Sequence, residues 1–385
     1  MIDIKKQREI VVYGTGLSSV KWAFEREENG GNIKYFLNSD SKIDTFCGKA
    51  VYSPDIRNVR NCYIVVVVSS VEIYMDVSRK LQQFGLREFD DYIYYQWINK
   101  KIVLIHGNCH LRIAKGYLES SETFIKQYAI YPNPEIHKNK RGKIDESVIR
   151  NCDVLIHQAI RPQNPFGQKL SAEYLRKDKK PNALEIVVPN LYGLGKAFFP
   201  HSSVNERNYL LKNGCDTGGM FPHADSVLDE GIRQGKTIEE IISFAKSEDA
   251  INKDVVLDNF NIYMEKIKER ERDCDIKIYD YILAHYKYER LFYDMWHPTN
   301  LVIREYAMGI LQRLGITDEN IYFKDNLGAH EVPIYPVIKE CLGLEWKDAN
   351  MREGIDGKKL RDTMSLEEYI YEYLWWCYNY RDKRE

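Results

Sequence analysis

The stretch Lys101 to Leu118, KIVLIHGNCHLRIAKGYL, constrains the fold more than any other. It opens with a strand-type apolar run, Ile102 to Ile105, turns through Gly107 and Asn108, and continues as an amphipathic helix. Ile113, Ala114, Tyr117 and Leu118 recur at spacings of three and four and so share one helical face. Cys109 is thereby set at a strand-to-helix turn, near the positive end of the helix. Orphan backbone N–H groups there favour negative charge and ease ionisation of a thiol. Such a turn suits a nucleophile or an anion site in an α/β protein. It equally suits a small residue filling a tight bend, with His110 as a polar residue at the helix start.

A second stretch, Glu289 to Asn300, reads ERLFYDMWHPTN. The residue before a proline is driven out of helical geometry, so His297, ahead of Pro298, is expected in a loop. Thr299 to Leu314 then reads as a helix, with Ile303, Tyr306, Ala307, Ile310, Leu311 and Leu314 on one face and Gly315 as its stop. Asp294 precedes His297 by three positions. A carboxylate so placed accepts the imidazole N–H, fixes the tautomer and leaves the other nitrogen as a base. The alternative is an Asp294 that caps a helix beside a satisfied loop histidine.

The spacing D-x-x-H-P resembles the last block of SGNH hydrolases, with Gly107-Asn108-Cys109 in the place of that superfamily's Gly-Asp-Ser turn. Four segments together resemble a narrower group, the WcbI-type capsular polysaccharide biosynthesis acetyltransferases. They are IHGNCHLRIAKGYL (105–118), NCDVLIHQAI (151–160), the segment around VVPNLYGLGKAFFPH (187–201) and RLFYDMWHPTNLVI (290–303). The resemblance implies binding of coenzyme A or acetyl-CoA and transfer of an acetyl group to a sugar hydroxyl. It implies catalytic roles for Cys109, His297, Asp294 and Gln158. Contacts to coenzyme A are implied for Gly107, Asn108, His110, Arg112, Asn190, Tyr192 and His201. The chain departs from the family pattern at Asp294-Met295-Trp296, where a more variable, often Asn-containing, segment is expected.

Gln158 ends an expected strand, Val154 to Ile156, and parallel strand ends face the site in α/β enzymes. Its amide is read either as an oxyanion donor or as a buried amide tying down a loop. Glycines 193 and 195 among aromatics, after an expected strand Ile186 to Val188, suit close approach of a ligand or a plain compact loop. The basic run His137 to Lys143 is a solvated loop or a source of cations for the phosphates of coenzyme A.

The N-terminal 99 residues read as half of a doubly wound fold. Strands are expected at Ile10 to Tyr13, Ile33 to Leu37 and Tyr63 to Ser69, with helices Leu17 to Glu28 and Glu72 to Phe84. Its Gly14-Thr15-Gly16 turn lacks the third glycine of a dinucleotide fingerprint, Ser19 standing there, and Asn38 with Asp40 replaces a plain acidic residue. The module is similar to N-terminal domains of sugar O-acyltransferases and other sugar-modifying proteins, which hold a nucleotide-sugar or dock a partner; a scaffold domain without ligand fits the same residues equally. Asp91 to Lys100 is an aromatic connection. Further on, Phe124 to Tyr131 reads as a strand, Asn205 to Lys212 and Thr237 to Lys246 as helices, Asn252 to Tyr293 as mainly helical, and Glu331 to Gly343 as a helix. Ser365 with Glu368 forms a capping box for a last helix, Leu366 to Tyr378. The expected fold class is α/β. It comprises a half-Rossmann module over 1–99, an SGNH-like α/β domain with a large helical portion over 100–330, and a C-terminal helical extension over 331–385.

A net charge of −2 with interspersed signs argues against nucleic acid as a partner. The longest apolar run, Tyr63 to Val68, is too short to span a bilayer, and the start lacks an apolar signal core, so a cytoplasmic protein without membrane insertion is expected. Eight cysteines show no close pairing, which disfavours disulfides and structural zinc. His106, Cys109 and His110 are too close on one turn to build an open metal site, and no metal is expected.

Three functions fit these features. The first is acetyl-CoA-dependent O-acetylation of a sugar or polysaccharide acceptor, by His297 as base or through an acylated Cys109. The second is an SGNH-like esterase or deacetylase, for which a thiol is a poorer match than serine. The third is a non-catalytic component of a polysaccharide assembly system. Whether the chain forms a homo-oligomer is left open.

Overall fold

The computed structural model describes residues 9–39, 42–204, 221, 223–324, 327, 331–346 and 365–381. The chain divides into two compact units, residues 1–111 with 119–186 and residues 112–118 with 187–385.

The first unit begins with β1 (Ile10–Tyr13), α1 (Leu17–Glu28), β2 (Phe36–Leu37), β3 (Thr45–Phe46), β4 (Lys49–Tyr52), α2 (Ile56–Val59), β5 (Tyr63–Val66), α3 (Val71–Gln83) and β6 (Tyr92–Tyr94). Its six strands run in the order β3-β4-β2-β1-β5-β6, parallel except for the β3–β4 pair. Every residue of β1 and β5 is buried, as for parallel strands covered on both faces. Ser19, in the place of the missing glycine, donates its hydroxyl to the carbonyl of Val67 at 3.1 Å and so ties α1 to the end of β5.

The expected strands at 33–37 and 63–69 are shorter than the apolar runs suggested. Three strands were not foreseen. The aromatic connection 91–100 contains β6, whose Tyr92, Ile93 and Tyr94 pair with Ile64, Val65 and Val66. Three residues are too few to display a period. Asp40 lies outside the described residues.

The unit continues with β7 (Lys101–His106), α4 (Cys109–Glu119), α5 (Glu122–Gln127), β8 (Tyr128–Ile130), α6 (Glu146–Asn151), β9 (Val154–Gln158), α7 (Ala172–Asp178) and β10 (Leu184–Val188). The second sheet has the order β10-β9-β7-β8. The expected strand from Phe124 is helix until Gln127, because Ser121 caps α5 by accepting the N–H of Phe124 at 3.0 Å. Parallel pairing of β7 with β9 sets His106 opposite His157. The turn after β7 therefore lies beside the end of β9.

The aromatic connection has a packing role. Trp97 meets Tyr74, Phe89, Tyr94 and Tyr131 at ring-centroid distances of 5.0, 6.0, 5.6 and 5.5 Å. Beneath them the buried carboxyl of Glu88 accepts hydrogen bonds from the hydroxyls of Tyr74 and Tyr131, the latter at 3.0 Å. Burial pushes its pKa up to about 7, despite both hydroxyl donors.

The second unit holds a hairpin of β11 (Ser202–Val204) and β12 (His223–Asp225), in which Val204 pairs with His223. It also holds α8 (Ser226–Arg233), α9 (Ile238–Ala245), α10 (Lys253–Arg270), α11 (Tyr279–His285), α12 (Asn300–Arg313), α13 (Pro336–Leu342) and α14 (Leu366–Trp376). α12 buries Ile303, Tyr306, Ala307, Ile310 and Leu311, the face read from the sequence, and Gly315 follows at φ +74°. The 252–293 segment is helical in two pieces, with 271–278 between them. The expected helix from Glu331 starts only at Pro336, whose ring fixes φ for the first helical position. The capping box of Ser365 and Glu368 is present, with bonds of 2.6 and 3.2 Å. Trp376 is buried and Trp375 is exposed. The segment 205–212, Cys215 and most of 344–364 lie outside the described residues. Among the described residues no helix is long and apolar enough to cross a membrane.

Glu88 gives a measurable signature. Its raised pKa makes its contribution to stability full below the unfolded value of about 4.3, and lost as pH rises through about 7. Glu88→Gln should therefore raise stability at pH 8 by about 2 kcal/mol and change it little at pH 5, as read by urea unfolding at both pH values.

Candidate active site

The residues expected to act fall into two groups, each positioned by its own local structure. The first group surrounds the turn after β7. Gly107 admits the side chain of Gln158, since a Cβ there would come within 2.8 Å of Gln158 Oε1 and 2.7 Å of Leu111 Cδ1. Asn108 and Gln158 form a reciprocal pair. The backbone N–H of Asn108 donates to Gln158 Oε1 at 3.1 Å, and Gln158 Nε2 donates to Asn108 Oδ1 at 3.1 Å. Asn108 Oδ1 also accepts the backbone N–H of His110 at 3.0 Å. The side chain of Asn108 thus caps α4, and buried Gln158 holds that cap in place. Of the two roles read for Gln158, this geometry is that of the amide tying down a loop.

Cys109 is the first residue of α4 and is partly exposed. His110 is fully buried, and Arg112 is half-buried one turn on. The strand below is fixed by histidines. His106 Nε2 donates to the carbonyl of Leu170 at 2.9 Å, and burial lowers its pKa to about 4. His157 bonds through Nε2 to Glu185 at 2.9 Å and through Nδ1 to the carbonyl of Gln158 at 2.8 Å. The hydrogen bond from His157, with a second from Arg176, holds the Glu185 carboxyl down at about 2.

The second group surrounds Asp294. Its turn is closed by an antiparallel bridge between Phe292 and Pro298 and by the N–H of Tyr293 donating to the carbonyl of His297 at 2.9 Å. Asp294 divides its two oxygens. Oδ1 accepts the backbone N–H groups of Trp296 and His297 at 2.6 and 2.8 Å. Oδ2 accepts from His297 Nδ1 at 2.7 Å and lies 3.3 Å from His223 Nε2. Burial alone would raise the pKa of this carboxyl, but the bonds from His223 and His297 outweigh it and hold it far below the usual carboxylate range. The His297 side chain remains 28% exposed, with Nε2 as its second nitrogen. Asp294 orients the histidine and caps a turn; it caps no helix, since the helix that follows starts at Asn300 after Thr299.

His223 completes this group and was not singled out from the sequence. It enters on β12, and its ring lies 4.6 Å from that of Trp296. No local spacing announces it, because the hairpin register and not the chain brings it to Asp294.

The 190–201 loop packs on the same turn. A Cβ at Gly195 would fall 2.0 Å from the carbonyl oxygen of Asp294, so the backbones touch there. Arg270 holds the loop by donating to the carbonyls of Asn190 and Tyr192 at 2.9 and 2.7 Å. Asn190 Oδ1 accepts the N–H of Tyr192 at 3.0 Å. Tyr192 is half-exposed and stacks on Trp296 at 6.1 Å with 6° between the rings. His201 is committed to the unit's interior beside β12, 3.9 Å from Asp225. Its side chain is fully buried against Tyr335 at 4.6 Å, and burial lowers its pKa to about 3.

Asp294→Asn should destabilise the protein by about 3 kcal/mol near neutral pH, because the imidazoles of His223 and His297 lose a buried charged acceptor. The folded pKa is depressed, so the wild-type advantage is full above the unfolded value of about 3.9 and is lost progressively as pH falls from there through the much lower folded value. Urea unfolding at pH 7 and pH 3 reads the loss and the start of its decline.

A family model described as polysaccharide biosynthesis enzyme WcbI matches residues 102–319, a span that holds both groups. No curated protein sequence matches the chain. A solved structure of WcbI, described as a novel polysaccharide biosynthesis enzyme in its native form without a disulfide bond between coenzyme A and a cysteine, is similar in fold. The TM-score is 0.57 at 20% identity, over 72% of this chain and 89% of that one. With more than half of its length inside the family match, the chain belongs to the WcbI family of polysaccharide biosynthesis enzymes.

Proposed function

We propose that this enzyme transfers an acetyl group from acetyl-CoA to a hydroxyl of a sugar acceptor in surface-polysaccharide biosynthesis. The observation that carries this is the bond from His297 Nδ1 to Asp294 Oδ2 at 2.7 Å. It fixes the tautomer in which Nε2 bears the lone pair, and the partly exposed ring can accept a proton from a hydroxyl. The hydroxyl oxygen then bonds to the thioester carbonyl carbon. The tetrahedral adduct expels the coenzyme A thiolate, and His297 returns the proton to that sulfur. The carboxylate of Asp294 stabilises the imidazolium formed in between, and His223 steadies that carboxylate.

Cys109 has a role on either of two routes. Backbone N–H groups at the start of α4 suit a developing oxyanion, with Gln158 and Asn108 as positioning residues for the turn. Alternatively the Cys109 sulfur accepts the acetyl group from coenzyme A and passes it on. Among the described cysteines of the family span, Cys152 and Cys274 are buried, whereas Cys109 is partly exposed. That supports Cys109 as the counterpart of the cysteine named with coenzyme A in the solved relative. The half-exposed Tyr192–Trp296 stack offers an aromatic face of the kind sugars lie on.

Acetyl-CoA at a hundred times its dissociation constant should add about 2.7 kcal/mol to stability. No shift at saturation would overturn the proposed donor. His297→Ala should lower the transfer rate by about 10²- to 10⁴-fold with the acetyl-CoA affinity retained. Cys109→Ala decides the route: near-normal transfer leaves direct attack, and loss of a trapped acetyl-enzyme together with activity selects the acylated thiol. Hydrolysis of simple esters without coenzyme A would select the esterase instead.

A further inference from the structure

We infer a second ligand site in the first unit, a basic cavity that binds a phosphorylated small molecule of the nucleoside diphosphate class. The cavity has a volume of about 560 Å³ and lies between α3 and the 131–145 segment. That volume is within the range of small-molecule sites, roughly 300–1,000 Å³. Five cationic side chains line it: Arg79 from α3, and Lys138, Lys140, Arg141 and Lys143 from the facing loop. A run of lysines on a convex loop is an ordinary solvated surface. Here the opposite wall adds Arg79, so positive charge converges on a concavity, where low-dielectric walls strengthen its field.

The charges are not all spent within the protein. Arg79 pairs with Asp76, Lys138 with Glu135 at 2.9 Å, and Arg141 lies 3.6 Å from Asp145. Lys140 and Lys143 have no ion pair among the described residues. The loop that carries them is built around Asn139. Its Nδ2 donates to the carbonyl of Lys143 at 3.1 Å, and its Oδ1 accepts the N–H of Arg141 at 3.1 Å. The N–H of Gly142 donates to the carbonyl of Asn139 at 3.1 Å. The two lysines are thus presented from one hydrogen-bonded turn, and two cations together match the charge of a diphosphate. Met75, Pro132, Pro134 and Ile144 form apolar wall beside the cations. A ligand with a ring body and a diphosphate end satisfies both surfaces, which a bare phosphate does not.

One wall of the site, α3, lies outside the family match and the facing loop lies inside it; the coenzyme A arm of the test rests on the proposed function, and the separate-nucleotide arm does not. Two sources share the ligand chemistry: the nucleotide end of coenzyme A itself, and a separate nucleoside diphosphate such as that of an activated sugar.

The test is calorimetric titration of the full chain with pyrophosphate, ADP and UDP at low ionic strength. A nucleoside diphosphate should bind, and more tightly than pyrophosphate. The double variant Lys140→Gln/Lys143→Gln should weaken that binding by at least about tenfold, whereas Lys169→Gln should not. Both lysines are exposed, and an unchanged melting temperature of the double variant confirms that it folds. Repeating the titration with saturating coenzyme A separates the sources, since displacement identifies the ligand as the nucleotide end of coenzyme A and undiminished binding identifies a separate nucleotide. The site is overturned if no nucleoside diphosphate binds at millimolar concentration or if the double variant binds equally well. It is also overturned if only an acidic glycan, polygalacturonate, binds in a lysine-dependent way.

Discussion

One buried carboxylate organises the chemistry of the second unit. Asp294 spends one oxygen on two backbone N–H groups and the other on two imidazoles. Burying an unpaired carboxylate would be costly, and four donors turn that cost into geometric definition. The backbone bonds fix the turn, and the turn fixes where His297 projects. His223 arrives on a separate hairpin, and the 190–201 loop closes over the turn at Gly195. A residue that reads in the sequence as one half of a dyad is the junction of three chain segments.

The first unit uses the same economy with a neutral partner. The amides of Asn108 and Gln158 satisfy one another and Asn108 caps the start of α4, so neutral side chains shape the turn carrying Cys109. In the proposed transfer a developing oxyanion lies at that helix start. Below it, His106 and His157 are held by a carbonyl and a carboxylate, which gives the strand ends a rigid base.

Legibility followed the range of the interactions. The β7–turn–α4 unit, α12 with its buried face, and the Asp294–His297 contact are local, and their spacing in the chain shows them directly. The adjacency of Gln158 to the turn needed only the inference that two strands are neighbours. His223 needed the register of a hairpin, which no periodicity encodes. The sequence also misled where the local competition was close. Phe124 to Gln127 has strand-like composition, but the Ser121 cap and Glu122 in the first turn favour helix. His201 sits in a segment rich in site residues, yet it is committed to the interior against Tyr335. Short strands such as β3 and β6 exist because a neighbouring strand edge pairs with them, which no window of a few residues displays.

The contact between Gly195 and the carbonyl of Asp294 has an evolutionary corollary. Any side chain at position 195 would force the two backbones apart and carry the histidine with them, so that position is closed to every residue but glycine. Tyr192 and Trp296 stand on either side of that pivot with solvent-facing ring surface. In the proposed transfer, substitution within the aromatic pair alters the acceptor surface while the Asp294–His297 contact stays in register.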